Sequence, residues 1–142
     1  MNNNIYINKK FYKVTNFSHI SFIHAGVNPR NESYAERYQI LNKRSPSIPL
    51  EIKFKKEIKP RYSYQIKNPY ETDDLTNFFE KGSIAMVKSG KKNSSSTEFF
   101  FVTNQIPELD GRYSIFGKII KGFDVLEKIK QEDYIVGVQI SN

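Results

Sequence analysis

The histidines are the first side chains to consider for chemistry, because the chain has only two of them and no cysteine. His19 and His24 lie close enough in sequence to share a metal ion if a third ligand stood beside them. No cysteine, aspartate or glutamate occurs in that stretch. We therefore expect no metal site and no cofactor, and the lack of thiols also excludes a disulfide framework.

A glycine- and serine-rich stretch, Gly90–Ser96 with the sequence GKKNSSS, is the second candidate. The backbone amides of such a stretch can cradle an anion. A phosphate loop, however, needs a strand before it and a helix after it, and this stretch lacks that context. We therefore expect a flexible surface loop here.

The net charge of +7 raises the question of a nucleic-acid partner. Lysine is scattered over the whole length, and the densest group, between Lys53 and Arg61, alternates with apolar residues as a half-exposed strand would. We expect a solvated face there and no nucleic-acid partner. No apolar run approaches the roughly 20 residues of a membrane span, and the N-terminus lacks a signal peptide's apolar block. We therefore expect a cytoplasmic protein without a membrane partner.

Apolar runs between turn residues predict several short strands. The clearest are Ser83–Val87, Phe99–Thr103 and Tyr113–Ile120, which are separated by Asn, Ser, Asp and Gly. Further strands are predicted, from runs or period-2 alternation, at Phe11–Val14, Ile20–Ala25, Ile48–Phe54, Tyr62–Ile66 and Ile135–Ile140. This many short strands favours a barrel or a sandwich.

Helical patterns are confined to a few places. From Gly122 to Lys130, apolar residues recur at positions 123, 126 and 129, which predicts an amphipathic helix of two to three turns. Asp73–Glu80 and Tyr34–Leu41 can each form a helical turn. The length of 142 residues fits a single domain over the whole chain, and we expect residues 1–9 to be frayed.

Five short motifs follow one another in the chain: Phe11-Tyr12-Lys13, His24-Ala25-Gly26, Met86–Gly90 (MVKSG), Ser96–Phe100 (STEFF) and Glu108–Gly111 (ELDG). Together they resemble the cyclophilin-type peptidyl-prolyl isomerases, whose matching segments are F-H-R, Gln-Gly-Gly, M-A-N-A-G, G-S-Q-F-F and aromatic-Leu-Asp-Gly. The resemblance is strongest over residues 82–131. It implies a mainly β fold, a cyclophilin-like antiparallel β-barrel with one C-terminal amphipathic helix.

The resemblance also implies a chemistry. An X-Pro bond isomerises slowly because amide resonance sets a barrier of about 18–20 kcal/mol. In this family an apolar pocket holds the proline ring, and the arginine of F-H-R donates a hydrogen bond to the prolyl nitrogen of the twisted state. The implied catalytic residues are Lys13, His24 and Glu98. The implied substrate-binding residues are Phe22, Met86, Val87, Lys88, Phe100, Leu109 and Tyr113.

The polar residues depart from the family pattern. Lys13 replaces the arginine and lacks its rigid planar fork. His24 replaces a glutamine with a titratable ring, and Glu98 replaces another with a carboxylate that can pair with Lys13. Glu108 stands where an aromatic residue often lines the pocket.

Some apolar residues have two interpretations. Phe100 either lines the pocket or is only a core position of a strand in which Phe99–Phe101 alternate, and Met86 has the same alternative. The interval between Lys13 and His24 is longer than in the family. The pocket phenylalanine before His24 is therefore Phe22 or Phe17.

The N-terminal part is shorter than in the family, since only ten residues precede Phe11. The resemblance then implies a barrel without its first strands and helix, whose unpaired edges favour self-association or pairing with a separate segment. The expected function is isomerisation of X-Pro bonds in proline-containing polypeptides, which assists protein folding. The alternative is a catalytically weak or inactive cyclophilin-like module that binds proline-containing peptides.

Overall fold

A computed structural model of the chain describes residues 6–27, 47–88 and 93–139. These residues form one short helix, α1 (Phe123–Leu126), two 3-10 helices (Pro69–Asp74 and Pro107–Leu109) and eight strands. The strands are β1 (Lys13–Asn16), β2 (Ser21–Gly26), β3 (Ser47–Pro49), β4 (Glu51–Ile52), β5 (Arg61–Tyr62), β6 (Ser83–Lys88), β7 (Asn93–Val102) and β8 (Ile115–Lys118). The fold is mainly β, as the sequence predicts.

Six strands form one antiparallel sheet in the order β1-β2-β7-β6-β8, and β3 pairs with the first half of β7. Strands β4 and β5 form a separate two-stranded sheet. In the part of the chain that the structure describes, β1 and β8 lie at opposite ends of the large sheet and do not pair. The predicted barrel is therefore open.

Successive residues of a strand point to opposite sides of the sheet, so the apolar residues of the large sheet are divided between two faces. On the front face, Phe100 and Val102 of β7 pack with Ala85, Phe79 and Ile106. On the back face the buried residues are Ala25, Met86, Phe99 and Ile135. A third cluster beneath the small sheet contains Leu50, Ile52, Phe54, Ile66 and Leu75.

The predicted strand Ile48–Phe54 is in fact two strands. Pro49 has no N–H to continue the ladder with β7, so the chain leaves the large sheet and joins the small one at Glu51. The predicted strand at Tyr62–Ile66 shrinks to β5, because Ser63 takes a positive φ of 52°.

Two further predictions are corrected. The expected surface loop Gly90–Ser96 is wrong from Asn93 onward, because backbone pairing with β3 extends β7 through the serines. The terminal strand expected at Ile135–Ile140 does not form over residues 135–139. A single bridge joins Tyr134 to Lys10, and Val136 is 86% exposed and contributes nothing to the core.

The C-terminal helix is shorter than predicted but has the predicted inner face. It ends at Leu126, which is buried. The expected helical turn at Tyr34–Leu41 lies outside the described residues. Of the stretch expected to be frayed, residues 6–9 are anchored, since Tyr6 packs edge-on against Phe99 and the Asn8 amide donates to Ile135. No helix in the described ranges is long and apolar enough to span a membrane.

Candidate active site

The strand register brings the donor candidate to the apolar face. Lys13 in β1 lies directly opposite His24 in β2, and His24 lies opposite Phe100 in β7. Residues opposite one another in an antiparallel pair share a face of the sheet. Lys13, His24 and Phe100 therefore form a row across the front face.

His24 is enclosed by aromatic rings. Its ring centre lies 5.0 Å from that of Phe22, 5.6 Å from that of Phe100 and 5.7 Å from that of Tyr12, which stacks on it. Burial, and secondly the positive charge of Lys13, lower the pKa of His24 from 6.5 to about 4. The imidazole is therefore neutral at physiological pH.

Glu98 belongs to the same face but has a partner that the sequence did not suggest. The Tyr12 hydroxyl donates a hydrogen bond of 3.0 Å to Glu98 Oε1. The ion pair that Glu98 could form with Lys13 is not among the ion pairs of residues 6–27, 47–88 and 93–139. Tyr12 thus restrains Glu98 and covers His24 at once. Its signal in the sequence was only that it lies between Phe11 and Lys13.

An aromatic floor lies beside this row. Phe100 is 3% exposed, and its ring stacks on Phe79 with 5.9 Å between ring centres and an interplanar angle of 2°. Tyr113 stands edge-on to Phe100 at 5.2 Å. The half-buried residues packed against this cluster include Phe22, Val87, Leu109 and Tyr113. The front face thus carries an apolar patch of half-buried side chains packed around Phe100, and we refer to this patch as the groove and to Phe100 as its floor.

A buried carboxylate fixes one wall of the groove. The Phe79 backbone amide donates a hydrogen bond of 2.6 Å to Asp110 Oδ1. This bond ties the turn that carries Leu109 to the segment that carries Phe79, and burial raises the pKa of Asp110. Glu108, the residue at the family's aromatic position, is exposed.

The remaining candidates separate. Lys88 lies at the end of β6 with its Nζ 5.0 Å from the centre of the Tyr113 ring, beside the groove. Met86 pairs with Phe99 and is buried in the back face, so the structure does not bring it to the groove. Phe17 is 71% exposed beyond the end of β1, so of the two candidates for the pocket phenylalanine it is Phe22 that lies beside His24.

The groove therefore offers an ammonium group, a neutral imidazole and an apolar floor. No three histidine, aspartate or glutamate side chains in the described ranges converge as a metal site would require. Such a surface can hold an apolar ring and donate a hydrogen bond to a group lying over it.

Known proteins with similar sequences point the same way. A family model described as "Cyclophilin type peptidyl-prolyl cis-trans isomerase/CLD" matches residues 2–141. A peptidyl-prolyl cis-trans isomerase of Helicobacter pylori is 41% identical over 68 residues, covering 46% of this chain and 41% of that protein. The peptidyl-prolyl cis-trans isomerase CYP7 of Saccharomyces cerevisiae is 33% identical over 61 residues, covering 43% of this chain and 16% of that protein.

A solved structure shares the fold. The cyclophilin AquaCyp293 from Hirschia baltica matches with a TM-score of 0.50 at 14% identity, over 92% of this chain and 56% of that one. This chain therefore spans less than half of the two curated relatives and little more than half of the structural neighbour. Because the family model matches nearly the whole sequence, the chain belongs to the cyclophilin-type peptidyl-prolyl cis-trans isomerase family.

Proposed function

We propose that this protein catalyses cis–trans isomerisation of X-Pro bonds in proline-containing polypeptides. The observation that carries the proposal is the row of Lys13, His24 and Phe100 across three paired strands. It places a hydrogen-bond donor on β1 and an apolar floor on β7, two strand spacings or about 10 Å apart from backbone to backbone, with His24 between them. Family membership supports the same reaction.

In the proposed mechanism the proline ring rests on Phe100, between Phe22 and Tyr113. Twisting of the X-Pro bond frees the lone pair of the prolyl nitrogen, and the Lys13 ammonium donates a hydrogen bond to it. This bond is stronger in the twisted state than in the planar one, so it lowers the barrier. No covalent intermediate is formed and no metal takes part in any step.

His24 takes the place of the family's glutamine in this mechanism. A neutral imidazole has one hydrogen-bond donor and one acceptor, and the side-chain amide of glutamine can likewise both donate and accept. Its pKa of about 4 keeps it in that state across the physiological range. A charged imidazolium would instead repel Lys13 and offer it no acceptor.

A second candidate function is peptide binding with little or no catalysis. It is favoured by the flexible ammonium in place of a planar guanidinium. The apolar groove around Phe100 would still hold a proline ring in that case.

Exchange spectroscopy by NMR on a short X-Pro peptide tests the proposal and separates the two functions. Catalysis predicts that a catalytic amount of protein raises the cis–trans exchange rate above the uncatalysed rate. An unchanged rate at saturating peptide contradicts the isomerase. Shifts of the Phe100 and Tyr113 resonances in that sample would then support the binding module.

We also propose that the chain self-associates. In the described residues, β8 pairs on one side only, with β6. Phe116 of β8 is 57% exposed beside Phe99 of the back face. An unpaired edge with an exposed aromatic residue favours pairing with another chain.

A further inference from the structure

The front face has a charged feature that the mechanism above does not use. Lys88, the last residue of β6, is half-buried, and its Nζ lies 5.0 Å from the centre of the Tyr113 ring. Arg112, which precedes Tyr113, is exposed. Burial, and secondly the charge of Arg112, lower the pKa of Lys88. The Lys88 ammonium thus covers the Tyr113 ring, and a second cation, Arg112, is the neighbour of Tyr113 in the chain.

Neither Lys88 nor Arg112 forms an ion pair with a carboxylate of the residues that the structure describes. The ion pairs seen there involve other cations, among them Lys10, Lys56, Arg61, Lys81, Lys118 and Lys128. A half-buried cation without a counter-ion is unfavourable, and a second cation beside it adds repulsion. An anion bound between Lys88 and Arg112 would relieve both costs.

The pair lies within reach of a peptide in the groove. The Tyr113 ring that Lys88 covers stands 5.2 Å from the Phe100 ring, the proposed floor under the proline. An extended chain advances about 3.3–3.6 Å per residue. A peptide whose proline rests on Phe100 can therefore bring a residue one to three positions away to the two cations.

We propose that the groove prefers proline-containing peptides with an anionic side chain, a carboxylate or a phosphate, within about three residues of the proline, bound by Lys88 and Arg112. The guanidinium fork of Arg112 suits two oxygens of such a group, and the Lys88 ammonium serves as a point charge. This inference rests on the proposed function, because it assigns the substrate class of the same groove.

Matched peptides test the preference. An alanine-based peptide with one proline is made with glutamine, glutamate or phosphoserine at each of the three positions before and after the proline. For each peptide, kcat/KM is measured by NMR exchange and Kd by titration. At the best position, we expect kcat/KM and the binding affinity of the glutamate peptide to be roughly fivefold higher than those of the glutamine peptide. Both values should be higher still for the phosphoserine peptide. Raising the salt concentration should shrink both ratios.

Variants of Lys88 and Arg112 show whether these two cations cause the preference for anionic peptides. Lys88→Met combined with Arg112→Gln should bring the glutamate-to-glutamine ratio close to one, and Arg112→Gln alone, which alters only an exposed side chain, should lower it in part. Lys121→Gln is the matched control, because it removes one charge from an exposed loop near the opposite end of β6. Each ratio is taken within one variant, so a general change in activity cancels.

The outcomes separate this inference from the proposed function. Equal kcat/KM and Kd values for the glutamine and glutamate peptides at every position, with catalysis present, would overturn the anion preference. The proposed isomerase function would then stand unchanged. A preference that survives in the double variant would also overturn the inference, since the overall positive charge would then be responsible. Tighter binding of anionic peptides without catalysis of any peptide would support the preference and overturn the isomerase. No binding of any peptide would overturn both.

Discussion

His24 is the residue of the groove whose protonation state depends most clearly on its surroundings in the fold. Its ring is packed between Tyr12, Phe22 and Phe100, and Lys13 lies opposite it in the neighbouring strand. Both surroundings disfavour a positive charge on the ring. The folded protein therefore keeps this histidine neutral under conditions in which an exposed one would be partly protonated.

This neutral state should make the protein less stable in mild acid. The unfolded chain protonates His24 near pH 6.5, whereas the folded chain does so only near pH 4. Between these values the unfolded state binds more protons, so stability decreases as the pH falls. Because the ring is only partly buried, we expect a loss of about 2 kcal/mol between pH 7 and pH 4, measured by urea unfolding.

His24→Gln is the control for this pH effect. Asp110, whose pKa is raised by burial, is present in both proteins and contributes equally to their pH dependence. The difference between wild type and His24→Gln therefore isolates the histidine. An equal loss of stability in the two proteins would contradict the assignment.

The charge of Lys13 should be measurable at His24. Removing it in Lys13→Gln takes away the smaller of the two causes of the shift, so the pKa of His24 should rise above about 4 but stay below 6.5. Titration of the imidazole resonances by NMR measures this directly. No change in the His24 pKa would mean that the ammonium does not lie beside the ring.

The sequence resemblance named several residues that the structure brings together, but it did not specify on which face of the sheet each residue lies. It named Lys13, His24 and Phe100, which the structure aligns in one row. Met86 was also named, yet it points to the back face, because a residue's side of a sheet depends on strand register, which a motif does not specify. Tyr12 was missed for a related reason: it precedes β1, so strand alternation does not govern its direction.

At the scale of the elements, the end of β2 controls how Glu98 is presented. Gly26 pairs with Glu98 and has a φ of 103°, which residues with a side chain rarely adopt. A Cβ at this position would lie 2.2 Å from the carbonyl oxygen of Thr97. Only glycine allows β2 to approach β7 this closely.

Gly26→Ala should therefore destabilise the fold by about 2 kcal/mol or more, as measured by urea unfolding. Gly137→Ala is a matched control, since a Cβ there meets nothing within 4 Å. We expect that control to change stability by about 0.5 kcal/mol or less. Similar small effects at both positions would contradict the close approach of β2 and β7.

The sequence predicted strand positions better than strand ends. Ser83–Val87 was confirmed almost residue for residue, because its apolar run lies between clear turn signals. The polar serines of β7 could not be recognised as a strand, since their pairing with β3 depends on residues distant in sequence. Residues 135–139 show the converse: their pattern suits a strand, but the backbone hydrogen bonds of Ile135 with Asn8 and Lys9 are not continued by residues 136–139 in the part of the chain that the structure describes.

At the scale of the whole molecule, the open sheet should promote association. We expect sedimentation velocity to show concentration-dependent dimers or larger species. Phe116→Lys should shift the protein towards monomer, because it puts a charge on the exposed edge strand. Ile58→Lys is the control, since Ile58 is 95% exposed in the small hairpin. A compact monomer with a cooperative melt at all concentrations would rule out self-association.

The central claim is that Lys13 donates the hydrogen bond that lowers the X-Pro barrier, and its most direct test is peptide exchange measured by NMR with Lys13 variants. Lys13 is exposed, so its substitution should leave the fold intact, which circular dichroism can verify. We expect Lys13→Ala to lose roughly a hundredfold in catalysed exchange. Lys13→Arg should equal or exceed the wild type, and Lys121→Ala should match it. Full activity in a folded Lys13→Ala protein would contradict the account.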